Sequence, residues 1–101
     1  MNELNGKQKR QLRAMGQRLK PLVEVGRAGE SDELLANLAD RLARHELVKV
    51  RLPALPRDQR KELADDLARR TASHLVGTLG RTALLFRSSE DLPSEKRITL
   101  E

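Results

Sequence analysis

Leu47-Val48-Lys49-Val50-Arg51-Leu52 is the stretch of sequence that decides the fold. Its strict alternation puts Val48, Val50 and Leu52 on one face of a β-strand, and it leaves the other three residues on the opposite face. The first face is therefore expected to be buried. The second face carries two of its three side chains as cations, and it is expected to be in contact with water.

The sequence on both sides of this strand is helical. Before it, leucines at helical spacing predict a helix that begins near Ser31 or Asp32 and ends at His45-Glu46. After it, Pro53 and Pro56 bracket a turn, and a second apolar stripe predicts another helix that begins around residue 58. The two helices supply the layer that the apolar face of the strand needs.

The ends of the chain complete the pattern. At the N-terminus, a capping box of Asn5 and Gln8 predicts a helix over residues 6–19, and Pro21 ends it before a short strand over residues 22–25. Towards the C-terminus, residues 74–76 and 82–86 predict a hairpin around residues 77–80. A polar loop over residues 88–96 and a last short strand over residues 98–100 are expected to follow.

This order, α-β-α-β-α-β-β, predicts an α+β fold. Helical crossovers imply parallel strands, and the final hairpin must add an antiparallel one, so the sheet has four strands and is mixed. We expect a two-layer α/β sandwich that leaves one sheet face for solvent or ligand. Residues 1–101 are interpreted as one domain, with a core over about 4–87 and a polar C-terminal extension over 88–101.

Composition removes several classes of function. The chain has no cysteine, which excludes disulfides and thiolate metal ligands. His45 and His74 lack metal-ligand spacing, and no nucleophile or dinucleotide motif is present, so we expect no enzyme, metal, cofactor or small-molecule substrate. No apolar run is long enough for a bilayer, and no signal-peptide core is present. The expected protein is a cytoplasmic monomer without membrane contact.

The positive charge is concentrated at one end of the sequence. Residues 1–29 carry seven basic and two acidic side chains, whereas the remaining 72 residues carry thirteen of each. Such asymmetry favours a polyanionic partner, because each neutralised phosphate releases counterions. A solvated helix face would produce the same count. Phe86 is the one aromatic residue, so a nucleic-acid ligand is expected to be recognised by backbone and shape rather than by stacking.

A Gly-x-x-Gly pattern occurs twice. Residues 77–80 are interpreted as a hairpin turn. Gly26-Arg27-Ala28-Gly29 follows a strand and precedes a helix, where exposed amides and the helix dipole favour an anion. An ordinary strand-to-helix turn explains the residues equally well. Glu30, Asp32 and Glu33 follow at once, and their charges would repel a phosphate.

Four blocks of the sequence resemble CRM domains of the YhbY type. They are residues 4–13 (LNGKQKRQLR), 19–26 (LKPLVEVG), 45–51 (HELVKVR) and 80–87 (GRTALLFR). The resemblance spans residues 4–87 in the right order. It implies an RNA-binding domain whose sheet is similar to that of the C-terminal domain of bacterial translation initiation factor three.

The resemblance also implies a function and a site. Free-standing bacterial members of the family associate with precursors of the large ribosomal subunit, so ribosomal RNA is the expected partner. The family's glycine loop corresponds to Gly26-Arg27-Ala28-Gly29, which makes this loop the favoured RNA contact. An alternative is a protein-interaction module that docks on a ribosomal protein or another acidic partner. The residues expected to contact RNA are Lys7, Lys9, Arg10, Arg13, Lys20, Gly26, Arg27, Ala28, Gly29, Lys49, Arg51 and Arg81.

Overall fold

The computed structural model describes residues 3–101, in which helices and strands follow the expected order. The elements are α1 (Gly6–Gly16), β1 (Val23–Glu24), α2 (Asp32–His45), β2 (Leu47–Arg51), α3 (Arg57–Arg70), β3 (His74–Leu79), β4 (Thr82–Phe86) and a 3₁₀ turn (Ser94–Lys96). The α+β class and the order of elements are confirmed.

The four strands form one mixed sheet in the order β1-β2-β4-β3. β1 is parallel to β2, and the other two pairings are antiparallel. β1 has only two residues, but backbone hydrogen bonds continue the pairing on both sides of it. The amide of Leu22 donates to the carbonyl of Lys49 at 3.0 Å, and the amide of Val25 donates to that of Arg51 at 2.9 Å.

The main core lies between one face of this sheet and helices α2 and α3. Val48 and Val50 of β2 project into it, and so does Leu52, the residue after β2, as the alternation predicts. The leucines Leu38 and Leu42 from α2 and Leu67 from α3, with several alanines and valines, close the core. Ser31 caps α2 by accepting a hydrogen bond from the amide of Leu34 at 3.1 Å, at the predicted start of that helix.

The expectation that the other face stays open is wrong for half of its length. Leu12 of α1 is fully buried there, against Leu47 of β2 and neighbouring apolar residues of β3 and β4. Leu47, expected on the wet face, is therefore only 4% exposed. The reason is that Leu47, Leu84 and Phe86 form an apolar patch, which α1 covers at the same time as it buries its own stripe.

Helix α1 ends at Gly16, three residues before the predicted end at residue 19. The chain tightens there, and the amide of Leu19 donates to the carbonyl of Gly16 at 3.1 Å. Gly16 rests directly on Leu84, and a Cβ at this position would lie 2.5 Å from the Cδ2 atom of Leu84. Met15 and Leu19 lie at helical spacing from Leu12, which predicts that all three are buried on one stripe, but they remain 40% and 38% exposed.

The β3–β4 hairpin is longer than predicted. β3 continues to Leu79, so Gly77 lies within the strand, at a bulge between Leu75 and Gly77. The turn consists of Gly80 and Arg81 alone, and Gly80 has a positive φ of 56°. The hairpin is confirmed, but only Gly80 of the 77–80 segment has the predicted turn role.

No strand forms over residues 98–100. This segment instead lies along α1, where the Nε2 of Gln11 donates to the carbonyl of Thr99 at 2.7 Å. Ile98 and Leu100 pack against the α1 side of the sheet. The buried carboxylate of Glu46 accepts hydrogen bonds from the amides of Ser89 and Ile98, at 2.6 and 2.5 Å. The last residues thus help to close the second core.

Candidate nucleic-acid interface

The face under α1 is organised in three rows across the strands β2, β4 and β3. The rows are Leu47, Phe86 and His74; Lys49, Leu84 and Gly77; and Arg51, Thr82 and Leu79. α1 covers the first row through Leu12 and reaches the second with Gly16. The third row lies beyond the end of the helix, and its residues Arg51 and Leu79 are exposed.

Two turns border the third row. The loop of residues 26–29 follows β1, whose last paired residue, Glu24, lies beside Arg51. The β3–β4 turn closes the other side, and the amide of Leu52 donates to the carbonyl of Arg81 at 2.6 Å. We call the surface that these residues share the loop-end surface. It comprises Arg13, Lys49, Arg51, Thr82, Leu79, Gly80, Arg81 and residues 26–29.

A groove between the end of α1 and the hairpin contains the first two of these cations. Arg13 and Lys49 both line it, together with Gly77 and Leu79. The Nη2 of Arg13 donates to the carbonyl of Val76 at 3.3 Å. Its Nε lies 3.2 Å from the place that a Cβ of Gly77 would occupy. The missing side chain at Gly77 therefore lets this guanidinium lie close against β3.

The 26–29 loop is an exposed β-turn. The amide of Gly29 donates to the carbonyl of Gly26 at 3.0 Å, and Gly29 has a positive φ of 80°. Among the described residues, no atom lies within 4 Å of a Cβ built on either glycine, so the backbone there is open. Arg27 and Ala28 are exposed between them. The loop is thus a strand-to-helix turn whose backbone a ligand can approach.

Glu30 does not direct its charge towards this loop. Its side chain is 11% exposed and packs against α3, where one of its oxygens lies 3.4 Å from the Nε of Arg70. Burial raises the pKa of Glu30, the nearby Asp66 raises it further, and Arg70 acts in the opposite direction. Asp32 and Glu33 stay exposed in the first turn of α2. Of the three acids expected to repel a phosphate, the first is therefore held against the protein.

The cations of the loop-end surface have no acidic partner within residues 3–101. The ion pairs of this part of the chain are Lys7–Glu101, Arg44–Asp40, Lys61–Asp65, Arg69–Asp66, Arg70–Asp66 and Arg70–Glu30. None of them involves Arg13, Arg27, Lys49, Arg51 or Arg81. Their charges are consequently available to an anionic ligand.

The other predicted site residues lie elsewhere. Lys7 is paired with Glu101 at 3.6 Å, near the C-terminal segment. Lys9 is half-buried, and the guanidinium of Arg10 lies 3.6 Å from the Cβ position of Gly6. Lys20 lines a second groove on the other side of Lys49. The basic side chains in the first third of the sequence are therefore spread along α1 and the segment after it. Arg13 is the basic residue of α1 that lies at the loop-end surface.

Two basic residues at this end were not predicted. Arg57 and Arg60 begin α3, and they line a groove with Thr78, Leu79 and Gly80 of the hairpin. Their spacing of three residues puts them on one side of the helix, which the sequence could have indicated. The overall balance of charge in the last 72 residues concealed them.

The structure contains little that points to a different kind of site. Within residues 3–101, no three side chains of the metal-binding types come together, and none of the helices is long and apolar enough to cross a bilayer. His74 is half-buried in β3, and burial lowers its pKa. His45 is exposed in the last turn of α2.

Known proteins match this chain over the region that holds α1 to β4. Residues 4–87 match the family described as CRS1 / YhbY (CRM) domain. The chain is 38% identical over 86 residues to Probable RNA-binding protein PA4753 of Pseudomonas aeruginosa, and the match covers 85% of this chain and 83% of that protein. It is 34% identical over 88 residues to Probable RNA-binding protein YqeI of Bacillus subtilis, with 87% and 92% covered. The solution structure of the hypothetical protein SAV1595 from Staphylococcus aureus superposes with a TM-score of 0.84 at 32% identity, and the match covers 98% of this chain and 100% of that one.

Proposed function

Because the chain belongs to the CRS1 / YhbY (CRM) domain family, we propose that it binds structured RNA through the loop-end surface. The RNA of this proposal is ribosomal RNA in precursors of the large subunit, bound by a monomer in the cytoplasm. The function is binding without catalysis, since the family is one of RNA-binding domains. Two relatives whose names describe RNA-binding proteins support the choice of ligand.

The observation that carries the proposal is the group of unpaired cations beside an open backbone turn. Arg13, Lys49 and Arg51 line one half-face of the sheet, and the 26–29 loop borders it. Phosphates neutralised there would release counterions, and the amides of the loop are accessible to a further phosphate. Phe86, the one aromatic residue, is buried. Contacts are therefore mainly to phosphate and sugar, and the sequence preference is weak.

Filter binding across a salt series tests this proposal. We expect the logarithm of the association constant to fall linearly with the logarithm of the salt concentration, for a large-subunit rRNA fragment and for unrelated structured RNAs alike. Replacing Lys49 and Arg51 by alanine should weaken binding to all these RNAs. The slope should become shallower by about 1 for each phosphate that the altered chain no longer neutralises.

The matched control is Arg44→Ala on α2, an exposed arginine at the opposite end of the sheet whose Nε lies 3.1 Å from Asp40. Its RNA affinity should equal that of the unaltered chain. An Arg10→Glu variant reports on the middle of α1, where the guanidinium of Arg10 lies towards Gly6 and the start of the helix, and it should weaken binding less than Arg51→Glu. RNA affinity that does not depend on salt, or an Arg44 variant as weak as the double variant, would contradict the proposal.

Docking on an acidic ribosomal protein is the competing function, because the same cations would suit a carboxylate surface. Digestion of ribosomal particles with nuclease separates the two. RNA binding predicts that the chain leaves the particle when the RNA is degraded. If the chain stays bound to the ribosomal proteins after the RNA has been degraded, the result would support the alternative.

A further inference from the structure

Among residues 3–101, Leu79 is the large apolar residue with the highest exposed fraction. It is 83% exposed at the end of β3, whereas Met15, Leu19 and Leu22 are 38–43% exposed. A single exposed leucine is common on protein surfaces and needs no special account. The surroundings of this leucine are what mark it as a contact point.

Leu79 lies on the ridge between two basic grooves. On the α1 side it shares a groove with Arg13 and Lys49, and on the α3 side it shares another with Arg57 and Arg60. Among residues 3–101, the lining of both grooves contains no carboxylate. By contrast, a groove on the far side of α3 is lined by Glu62, Asp65 and Asp66 among others.

The cations of the α3-side groove are available to a ligand. Neither Arg57 nor Arg60 forms an ion pair within residues 3–101, whereas the neighbouring Lys61 is held by Asp65 at 2.9 Å. A chain of phosphates that crosses the ridge would therefore meet positive charge on both sides of Leu79. This complementarity favours a nucleic acid over an apolar protein surface.

The hairpin end that carries Leu79 is held in place. The hydroxyl of Thr82 donates to the carbonyl of Leu79 at 2.9 Å. The Nε of Arg81 donates to the carbonyl of Leu52 at 3.2 Å, and the amide of Leu52 donates back to Arg81. Because these bonds tie the turn to the end of β2, little conformational entropy remains to be lost when a ligand binds there.

We propose that Leu79 packs against an unpaired base of the bound RNA, with the flanking phosphates held in the two basic grooves. The inference rests on the proposed function and specifies it, since a base can meet Leu79 only where an RNA loop or bulge leaves it unstacked. Leucine is among the apolar side chains that proteins place against base steps. Because the one aromatic residue of the chain is buried, an aliphatic side chain has to supply the apolar contact with a base, and among residues 3–101 Leu79 is the most exposed large one.

Two RNAs test the proposal: a blunt-ended duplex with a single-nucleotide bulge, and the same duplex without the bulge, which is fully base-paired. Leu79→Ser should weaken binding of the bulged RNA about fivefold and leave the paired RNA unchanged, since only the bulge supplies a free base. The salt slope should not change, because no cation is removed. Leu79→Met should bind like the unaltered chain. The control is Leu92→Ser, in the C-terminal segment, which should also bind both RNAs like the unaltered chain.

Arg60→Ala provides the second measurement. It should weaken binding and reduce the salt slope by about 1, whereas Arg44→Ala should do neither. The exposure of Leu79 means that the thermal unfolding midpoint of Leu79→Ser should match that of the unaltered chain.

Two results separate the inference from the function on which it rests. If Leu79→Ser binds both RNAs normally while binding stays salt-dependent, the role of Leu79 is wrong and the proposed function stands. If the unaltered chain binds neither RNA in a salt-dependent way, the proposed function fails and the inference fails with it. Equal weakening of both RNAs by Leu79→Ser would also overturn the base contact.

Discussion

Glu46 is a buried acid with an unusual backbone. It is 1% exposed, it ends α2 with a positive φ of 64°, and its two carboxylate oxygens serve the amides of Ser89 and Ile98. Burial of a carboxylate is costly unless hydrogen bonds replace its water. Here the amides of Ser89 and Ile98 replace the water molecules around the carboxylate. The same two hydrogen bonds fix the segment after β4 to the end of α2.

We expect Glu46→Ala to lower the free energy of unfolding by about 2–4 kcal/mol, because two amide donors lose a charged acceptor. Alanine keeps the Cβ at the same backbone angles, so the change reports on the carboxylate. Urea denaturation measures the loss, and hydrogen exchange should accelerate at Ser89 and Ile98. Glu90→Ala, an exposed acid nearby, should change stability by less than about 0.5 kcal/mol. Equal effects of the two variants would contradict this role.

Glu30 gives stability a dependence on pH. Its pKa is raised above 4.5 in the folded chain, first by burial and then by Asp66, so the folded state binds its proton more tightly than the unfolded state. Stability from this group is therefore present at low pH and falls as pH rises from 4.5 through the raised pKa. Glu30→Gln should be more stable than the unaltered chain at about pH 7, and the two should converge below about pH 4. Thermal unfolding across this range measures the difference, and a gap that widens towards low pH would contradict it.

At the scale of the elements, the position of α1 depends on one close contact. Gly16 touches Leu84 so closely that any side chain there must displace either the helix or the leucine. Alanine favours a helix over glycine by about 1 kcal/mol, but a clash in a packed core costs about 1–3 kcal/mol, so the clash should dominate. The end of α1 is thus set by packing rather than by helix propensity.

Gly16→Ala should therefore destabilise the chain by about 1–2 kcal/mol. Leu84→Ala removes the opposing atoms, so the double variant should lose less than the sum of the two single losses. Chemical denaturation of the four proteins gives this coupling free energy. Strict additivity would show that Gly16 is free of Leu84.

Periodicity predicted the elements better than their ends. The alternation that buries Val48, Val50 and Leu52 and the leucine stripe of α2 are local signals, and the structure confirms both. The end of α1 is set by the contact of Gly16 with Leu84, which is far away in sequence, so the local pattern of the helix cannot contain it. The length of β3 is set by its pairing with β4 across the turn, Gly77 with Leu84 and Leu79 with Thr82, and the alternation within a single strand does not show this register.

For the whole molecule, the resemblance over residues 4–87 is confirmed, and it indicated the family that composition alone could not. The covered half of the second sheet face was missed, because nothing local to α1 reveals which face it packs on. The candidate site was predicted unevenly. Arg13, Lys49 and Arg51 come together in the fold, whereas Arg57 and Arg60 gain their place only through the hairpin. The contacts of all these residues with RNA stay predictions.

The two edges of the sheet have a consequence for behaviour at high concentration. One edge is β1, with two residues, and the other is β3, whose ladder is broken by the bulge between Leu75 and Gly77 and is overlaid by the guanidinium of Arg13. A strand from a second molecule needs a long, regular and uncharged edge on which to add. Neither edge of this sheet is long, regular and uncharged. We therefore expect that many copies bound close together along a long polyanion do not aggregate by pairing of their sheet edges.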